Sequence, residues 1–212
     1  MKNKILIIAI VLFILISNPI YAQGAEFYYI QNHWGKDYIE TLVKEGGIVG
    51  YPDGSFKPDN LIKRGEFLKA VMTVVLGDEV LLSYYGDDNT NSHWASYILD
   101  SAYELEIVYD NEIQNTTDSL EKYITRFEMA RIFVRIDENI LFNNQVYDLN
   151  IGNLISDYNR IPNDYVYFVE QAYLKGLIAG TDNKGTFAGS KTGTRAEAST
   201  MIVRLIDEAY RI

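Results

Sequence analysis

One short motif begins an amphipathic helix three times along this chain, and the repetition constrains the fold more than any single residue does. The copies are Lys63-Arg64-Gly65-Glu66, Thr125-Arg126-Phe127-Glu128 and Thr194-Arg195-Ala196-Glu197. Apolar residues follow each glutamate one, four, five and eight positions later. This spacing places four side chains on one face of a helix, so each copy predicts a helix with a buried stripe. A pattern that repeats in this way indicates a protein built from similar units.

Each copy of the motif closes a longer unit, in which a first helix, a turn-rich loop and the motif helix follow one another. We predict three units at residues 28–77, 87–140 and 155–212. The first helices begin at His33-Trp34 in unit one, at His93-Trp94 in unit two and at Asn163-Asp164 in unit three. The expected fold is therefore all-α, and the polar inserts at 77–92 and 139–162 are expected to be surface connections.

The N-terminus has the composition of a secretory signal peptide. Lys2 and Lys4 precede an unbroken apolar run from Ile5 to Ile16, and the small residue Ala22 follows. The run is shorter than the roughly 20 residues that a helix needs to cross a bilayer. We predict a signal peptide at residues 1–22 that is cleaved after Ala22. The alternative is an uncleaved N-terminal anchor.

The chain carries a formal net charge of -10 and no cysteine. An acidic surface repels nucleic acid and anionic lipid, so we expect neither as a partner. Without cysteine the chain forms no disulfide and carries no lipid on an N-terminal cysteine, so an exported protein of this kind depends on its apolar core. We predict a secreted protein that has no membrane contact after signal cleavage.

The polar residues of the motif have two candidate roles. Thr and Glu in the second and third copies have the spacing of a capping box, whereas Lys63 replaces the Thr in the first copy, so we expect that box to be lost. Arg64, Arg126 and Arg195 lie in the first helical turn, where the helix dipole disfavours a cation. Free backbone N–H groups beside a guanidinium favour a bound carboxylate or phosphate. A salt bridge between neighbouring units is the alternative, and the sequence leaves both open.

The sequence gives little support to metal binding or catalysis. The Asp-rich turns at Asp53, Asp87-Asp88 and Asp182 lack the ligand set of a calcium loop, and the 2 histidines have no zinc-site spacing. The sequence contains no nucleophile motif and no phosphate-binding Gly loop, so we predict no enzyme activity, no cofactor and no metal. Trp34 and Trp94 are interpreted as core residues, with a sugar-stacking platform as the alternative.

Taken together, these motifs resemble the S-layer homology domain. The resemblance rests on His33-Trp34, on the loop G-I-V-G-Y-P-D-G-S-F-K-P before I-K-R-G-E-F, and on H-W-A, I-T-R-F-E, G-T-F and T-R-A-E in the later units. It extends from about Tyr28 to Ile212. The family implies a pseudo-threefold arrangement, in which one helix from each unit joins a central three-helix bundle.

The resemblance also implies a ligand. In this family, grooves between adjacent units bind the secondary polysaccharide of the Gram-positive cell wall non-covalently, and the motif arginine meets the pyruvate ketal of a terminal sugar. Carried over, the glycan-binding residues are Arg64, Arg126, Arg195, Gly50, Tyr51, Asp53, Gly180 and Asp182, with Trp34 and Trp94 added by the sugar-stacking alternative.

Two departures from the family pattern limit this expectation. The loop of unit two, residues 109–124, lacks the G-Y-x-D-G-x-F sequence, and unit three lacks the His-Trp pair. We therefore expect fewer than three competent grooves. The expected function is non-catalytic anchoring to the cell wall at the cell surface. The alternative is a secreted protein-interaction module, in which the Tyr-rich inserts bind another surface protein and the units are only a scaffold.

Overall fold

The computed structural model describes residue 27 and residues 30–83 and 93–212. The protein is mainly helical, as predicted, and the only β structure in these ranges consists of isolated bridges. The helices are α1 (Lys36–Lys44), α2 (Arg64–Leu76), α3 (Asp78–Ser83), α4 (Ser96–Glu104), α5 (Thr117–Leu120), α6 (Arg126–Asn139), α7 (Ile151–Leu154), α8 (Asn163–Leu174) and α9 (Arg195–Ile206), with 3-10 turns at Tyr158–Arg160 and Glu208–Tyr210.

Two predictions fall outside the part of the chain that the structure describes. These are the signal peptide at residues 1–22 and the start of unit two at residues 87–92. Within the described ranges, no helix combines the length and the apolar character needed to cross a bilayer.

All three motif helices, α2, α6 and α9, begin at the motif arginine. In α6 and α9 the capping box predicted from the sequence is confirmed. The hydroxyls of Thr125 and Thr194 accept the N–H groups of Glu128 and Glu197 at 3.3 and 3.1 Å. The glutamate side chains accept the threonine N–H groups at 2.8 Å in both copies. These reciprocal bonds satisfy backbone donors that a helix start otherwise leaves free.

The capping box of unit one was expected to be lost, and one of its two bonds remains. Glu66 still accepts the backbone N–H of Lys63 at 3.0 Å. The second bond is missing because an ammonium group has no acceptor for the Glu66 N–H. The Lys63 ammonium instead pairs with Glu121 of unit two, so the substitution exchanges a local cap for a contact between units.

The predicted apolar stripes form the core. In α6 and α9 every stripe residue is buried: Met129, Ile132, Phe133, Ile136, Ala198, Met201, Ile202 and Leu205. In α2 the same holds for Phe67, Ala70 and Val71, whereas Val74 is half-buried. The rings of Phe67 and Phe133 meet edge to face at 5.4 Å and join the helices of units one and two.

The units close into a cycle. Each motif helix packs on the first helix of the next unit: α2 on α4, α6 on α8, and α9 back on α1. Three backbone hydrogen bonds join the segments that precede the motif helices in a ring. The N–H of Ile62 donates to the carbonyl of Gly193, that of Gly193 to Ile124, and that of Ile124 to Ile62, at 3.1 to 3.2 Å. The pseudo-threefold arrangement around a central bundle stays a prediction, but the contacts establish that unit three touches unit one.

The described parts of both inserts contain short helices and buried apolar side chains. The first insert contains α3, whose Leu81 is buried. The second contains α7 and a 3-10 turn, and Ile151, Ile155 and Ile161 are buried there. The unit-two loop also differs from expectation, because α5 forms within it under a Thr116 cap. These isolated apolar side chains hold the inserts against the core, which explains why an otherwise polar segment folds.

Candidate functional site

Two of the predicted site residues meet where unit three contacts the loop of unit one. Arg195 donates from Nε to the carbonyl of Phe56 at 2.9 Å and from Nη2 to the carbonyl of Val49 at 2.8 Å. Its guanidinium carbon lies 4.8 Å from the centre of the Tyr51 ring, within cation–π distance. Arg195 is only 4% exposed. The predicted residues Arg195 and Tyr51 are therefore brought together, from opposite ends of the chain.

Arg126 makes the same contacts in the loop of unit three. Its Nε donates to the carbonyl of Phe187 at 2.8 Å and its Nη2 to the carbonyl of Ala179 at 2.6 Å. Arg126 is 3% exposed. Burial lowers the pKa of both Arg126 and Arg195 from the usual arginine value. Both remain cations at neutral pH, because an arginine does not lose its proton in a protein.

Arg64 is different. It donates from Nη1 to the carbonyl and hydroxyl oxygens of Ser119, both at 3.2 Å, and it pairs with the carboxylate of Glu128 in unit two. The hypothesis of a salt bridge between units is therefore correct for Arg64. For the other two motif arginines the inter-unit partners are carbonyls. Arg64 thus combines one carbonyl of the unit-two loop, that of Ser119, with a carboxylate partner on α6.

The two loop aspartates behave as turn residues. Asp53 accepts the N–H and the hydroxyl of Ser55, and these bonds, with a smaller contribution from Lys57, lower its pKa to about 2. Asp182 accepts the N–H groups of Thr186 and Lys184, and the Thr186 bonds lower its pKa. The turn chemistry predicted for these residues is confirmed. Glycan contact by either carboxylate stays a prediction.

The two loop glycines are required by close packing. A Cβ on Gly50 would lie 2.2 Å from the ring of Phe27, and a Cβ on Gly180 would lie 2.7 Å from the Cα of Gly185. Both distances are far below van der Waals contact, so any side chain would push the loop out of place. Their contribution to a groove is to let the loop backbone pass close to its neighbours.

The interpretation of the tryptophans as core residues is wrong. Trp34 is 62% exposed and Trp94 is 53% exposed. The neighbouring histidines take the inner position, because His33 and His93 accept the N–H groups of Gly35 and Ala95 through Nδ1, both at 3.1 Å. Each histidine thereby fixes the turn before its helix, and the tryptophan is directed outward, where it is available as a platform.

Comparison with known proteins gives a family match for the unit-one part of this site. The model of the S-layer homology domain family matches residues 30–68. These residues form an S-layer homology domain. The matched segment contains Trp34, Gly50, Tyr51, Asp53 and Arg64, which are all the site residues predicted for unit one. Arg195, which completes the groove, lies outside the matched segment.

Curated relatives share this domain and are found among surface proteins. An amylopullulanase of Thermoanaerobacterium thermosulfurigenes is 28% identical over 91% of this chain and 10% of its own length. Cell surface glycoprotein 1 of Acetivibrio thermocellus is 34% identical over 42% of this chain and 4% of its own. The cellulosome-anchoring protein of the same organism is 57% identical over 18% of this chain and 8% of its own.

This chain thus spans only a small part, 10% or less, of these relatives. The S-layer homology domain and the surface proteins that resemble it indicate a location at the cell surface. The amylopullulanase activity belongs to that relative, and for this chain the absence of catalysis stays a prediction.

No cluster of His, Cys, Asp and Glu suited to a metal ion occurs among residues 27, 30–83 and 93–212. The Asp87-Asp88 turn lies outside those ranges. The predicted absence of metal and cofactor stays a prediction for the chain as a whole.

The sequence analysis did not predict one pair of arginines, which lies on α6 outside the matched segment. Arg131 and Arg135 on α6 both contact Glu112 of the unit-two loop and line an open groove of about 420 Å³. The sequence signal is the spacing of the two arginines, four residues apart on one helix, in a chain with a net charge of -10. Neither arginine belongs to the repeated motif, so the repeat pattern does not indicate them.

Proposed function

We propose that this chain attaches to the cell wall by binding an acidic secondary wall polysaccharide in the grooves between its units, and that it does so without catalysis. The observation that supports this most directly is the placement of Arg195. A cation from unit three is held inside the loop of unit one, where it contacts the ring of Tyr51. A ligand in this groove therefore meets two units at once.

The hydrogen bonds of Arg195 define how it would contact such a ligand. Its Nε and Nη2 already donate to loop carbonyls, so the lateral edge of the guanidinium is occupied. The far end, formed by Nη1 and the second Nη2 hydrogen, is left for a carboxylate, and two parallel bonds are possible there. The pyruvate ketal expected from the family presents a carboxylate of this kind. In this proposal Arg195 both holds the loop and contacts the sugar.

Two cations contact the ring of Tyr51, and one of them is already paired. The ammonium of Lys57 lies 4.2 Å from the ring centre and 3.1 Å from the carboxylate of Asp53. Arg195 is therefore the cation at this ring that has no carboxylate partner in the loop. The exposed tryptophan at the start of each first helix, in units one and two, adds a flat apolar face of the kind that sugars stack on.

The three arginines are not equivalent in this proposal. Arg126 has the same pair of carbonyl bonds as Arg195, so the unit-three loop provides a second groove, but Thr181 stands there in the place of Tyr51. Arg64 is neutralised by Glu128, so we expect its groove to bind an acidic glycan weakly or not at all. The low expected affinity of the Arg64 groove agrees with the loss of the loop pattern in unit two.

The test is binding to cell-wall sacculi before and after mild acid treatment that removes the secondary polymer. The chain should sediment with untreated sacculi, and binding should fall when the polymer is stripped and as salt rises, because exposed charges are screened. Tyr51→Ala and Arg195→Lys should weaken binding about tenfold, since Lys keeps the charge and loses the planar fork. Arg160→Lys changes an exposed arginine in the same way and should bind as the wild type does.

Equal binding to stripped and untreated sacculi would overturn the proposal. So would full binding by a folded Arg195→Lys, Arg126→Lys double variant. Circular dichroism on each variant separates a loss of binding from a loss of fold.

A second candidate function has its own supporting observation. The second insert exposes large apolar side chains: Phe142 at 62%, Tyr147 at 78% and Leu149 at 103%. An exposed apolar surface of this kind is typical of protein contacts, which favours docking of another surface protein. Phe142→Ser with Tyr147→Ser should leave sacculus binding unchanged if the glycan proposal is correct. A loss of binding to sacculi stripped of protein would favour glycan contact by the insert instead.

A further inference from the structure

The groove between the unit-two loop and α8 is a different site from those of the motif arginines. It has a volume of about 420 Å³ and is lined by Glu112, Arg131, Arg135, Asp164, Tyr165 and Phe168. The volume lies within the range of small-molecule sites, and the lining combines aromatic rings with planar charged groups. The motif arginines have their hydrogen bonds elsewhere, in the loops and at Glu128.

One of the two arginines in this groove is fully paired. Arg135 donates to both oxygens of Glu112, from Nη1 at 2.6 Å and from Nη2 at 2.8 Å. Burial alone would raise the pKa of Glu112, but hydrogen bonds from Arg135 and from the Tyr109 N–H outweigh it and lower that pKa. Glu112 is therefore a fixed anion that compensates one cation and leaves the charge of the second without a full partner.

Arg131 is that second cation, and one edge of it is free. Its Nη1 donates to Glu112, but its Nε is buried and has no hydrogen-bond acceptor. Its Nη2 reaches only Asp164, at 3.5 Å, and the Asp164 side chain is 71% exposed. The guanidinium carbon of Arg131 lies 3.9 Å from the centre of the Tyr165 ring, a cation–π contact that helps to hold the side chain in place. Nε and Nη2 form the lateral fork of an arginine, the edge that binds a carboxylate through two parallel bonds.

This pair of arginines is a feature of unit two alone. The residues five and nine positions after the motif arginine are Lys69 and Thr73 in unit one, and Thr200 and Arg204 in unit three. A feature of the repeated scaffold would be expected in more than one unit. A buried, unpaired donor costs stability. The Nε groups of Arg64 and Arg204 are also buried and unpaired, so an unpaired Nε alone does not mark a site. In Arg131 the unpaired Nε adjoins a weakly held Nη2, and the side chain lines an open groove.

We propose that this groove is a second binding site, specific for a sugar that carries a carboxylate, in which the Nε and Nη2 groups of Arg131 hold the carboxylate. The carboxylate displaces the weakly held Asp164, and the sugar ring lies against Phe168. Asp164 acts as a competing internal anion. The inference rests on the proposed function, because the wall polymer is the source of such a sugar, but it concerns separate residues.

The test is a titration of the full chain with sodium glucuronate, with methyl glucoside as the neutral match, followed by NMR of the arginine Nε–H groups. Glucuronate should shift the Arg131 Nε–H signal and methyl glucoside should not. Arg131→Lys should lower the affinity for glucuronate at least tenfold, and Asp164→Asn should raise it several-fold. Arg160→Lys, on the surface, should change neither.

Asp164→Asn keeps the test decisive if Arg131→Lys fails to fold, because Asp164 is exposed and its loss should leave the fold intact. An unmoved Arg131 Nε–H signal at saturating glucuronate overturns the inference. A stronger response to an acidic peptide than to glucuronate also overturns it and assigns the groove to a protein. If either of these two results is obtained and the wild type still binds sacculi, the inference fails and the proposed function stands. If the wild type does not bind untreated sacculi, the proposed function fails, and the glucuronate titration still tests the groove.

Discussion

Glu128 is shared between two units: its carboxylate accepts the Thr125 N–H at 2.8 Å and also pairs with the guanidinium of Arg64. One side chain thus caps α6 and binds unit one to unit two. The equivalent residues do less, because Glu66 only accepts a backbone N–H, and Glu197 caps α9 and meets the exposed Lys191.

This difference predicts a graded effect of alanine substitution. We expect the free energy of unfolding to fall by about 1 kcal/mol for Glu66→Ala and Glu197→Ala, as for the loss of a cap. For Glu128→Ala we expect about 3 kcal/mol, because Arg64 also loses its partner in a mostly buried position. Urea unfolding measures all three. Equal losses would show that the pair between units contributes nothing.

The buried ion pair of Asp137 and Lys175 predicts a larger loss of stability on alanine substitution. Asp137 is 0% exposed and accepts from Lys175 at 2.6 Å and from Asn143 at 2.8 Å. Asp137→Ala leaves the Lys175 cation buried without its closest partner, so we expect a loss of about 3–5 kcal/mol. The control is Asp118→Ala, which removes an exposed pair and should change stability by less than about 0.5 kcal/mol. A mild effect of Asp137→Ala in thermal unfolding would contradict this account.

The inter-unit bonds of the motif arginines predict a stability effect that does not depend on any ligand. Arg126→Lys and Arg195→Lys each remove hydrogen bonds to two loop carbonyls, and we expect a loss of about 1–3 kcal/mol for each. Arg160→Lys should be neutral. The comparison is made by urea unfolding in the absence of glycan. Unchanged stability would mean that these arginines serve the ligand alone.

For the exposed tryptophans we expect substitution to weaken glycan binding and to leave stability unchanged. Trp34→Ala and Trp94→Ala should change stability by less than about 0.5 kcal/mol, because both rings are mainly in solvent. If the rings stack on sugar, sacculus binding should fall about three- to tenfold, corresponding to an aromatic contact of about 0.5–1.5 kcal/mol. Full binding by the double variant, measured by sedimentation with sacculi, would exclude the platform role.

The turn around Asp53 predicts a pH dependence. Hydrogen bonds from Ser55 lower the pKa of Asp53 to about 2 in the folded protein, against about 3.9 in an unfolded chain. The stabilisation is therefore fully present above about pH 4 and is lost as the pH falls through 2. Carbon-detected NMR titration of Asp53 should give a midpoint near 2, and Ser55→Ala should raise it. An unchanged midpoint in that variant would refute the assigned cause.

Much of the fold was predictable because its determinants are local. Arg126 and Arg195 begin their helices where Thr125 and Thr194 form caps that can be read from four consecutive residues. The apolar stripe depends on the helical period alone, which explains why its residues form the core. The same local reasoning misplaced Trp34, because it could not show that His33 would occupy the inner position.

The contacts that complete the sites were not predictable from local pattern. Glu112 and Arg135 are 23 residues apart, and Arg195 and Phe56 are 139 apart. Nothing in either short segment indicates its distant partner. The resemblance to a known family predicts Arg195 and Tyr51 as site residues, and only the structure shows that the lateral edge of that arginine is already occupied.

The closure of unit three onto unit one has a consequence for how the protein folds. The bond between Arg195 and the carbonyl of Val49 joins residues 146 apart. Contacts of such long separation form slowly. Synthesis from the N-terminus delivers α1 long before α9, so the apolar face that α9 covers is exposed until the last unit is made. A partly made chain with such an exposed face is prone to aggregation.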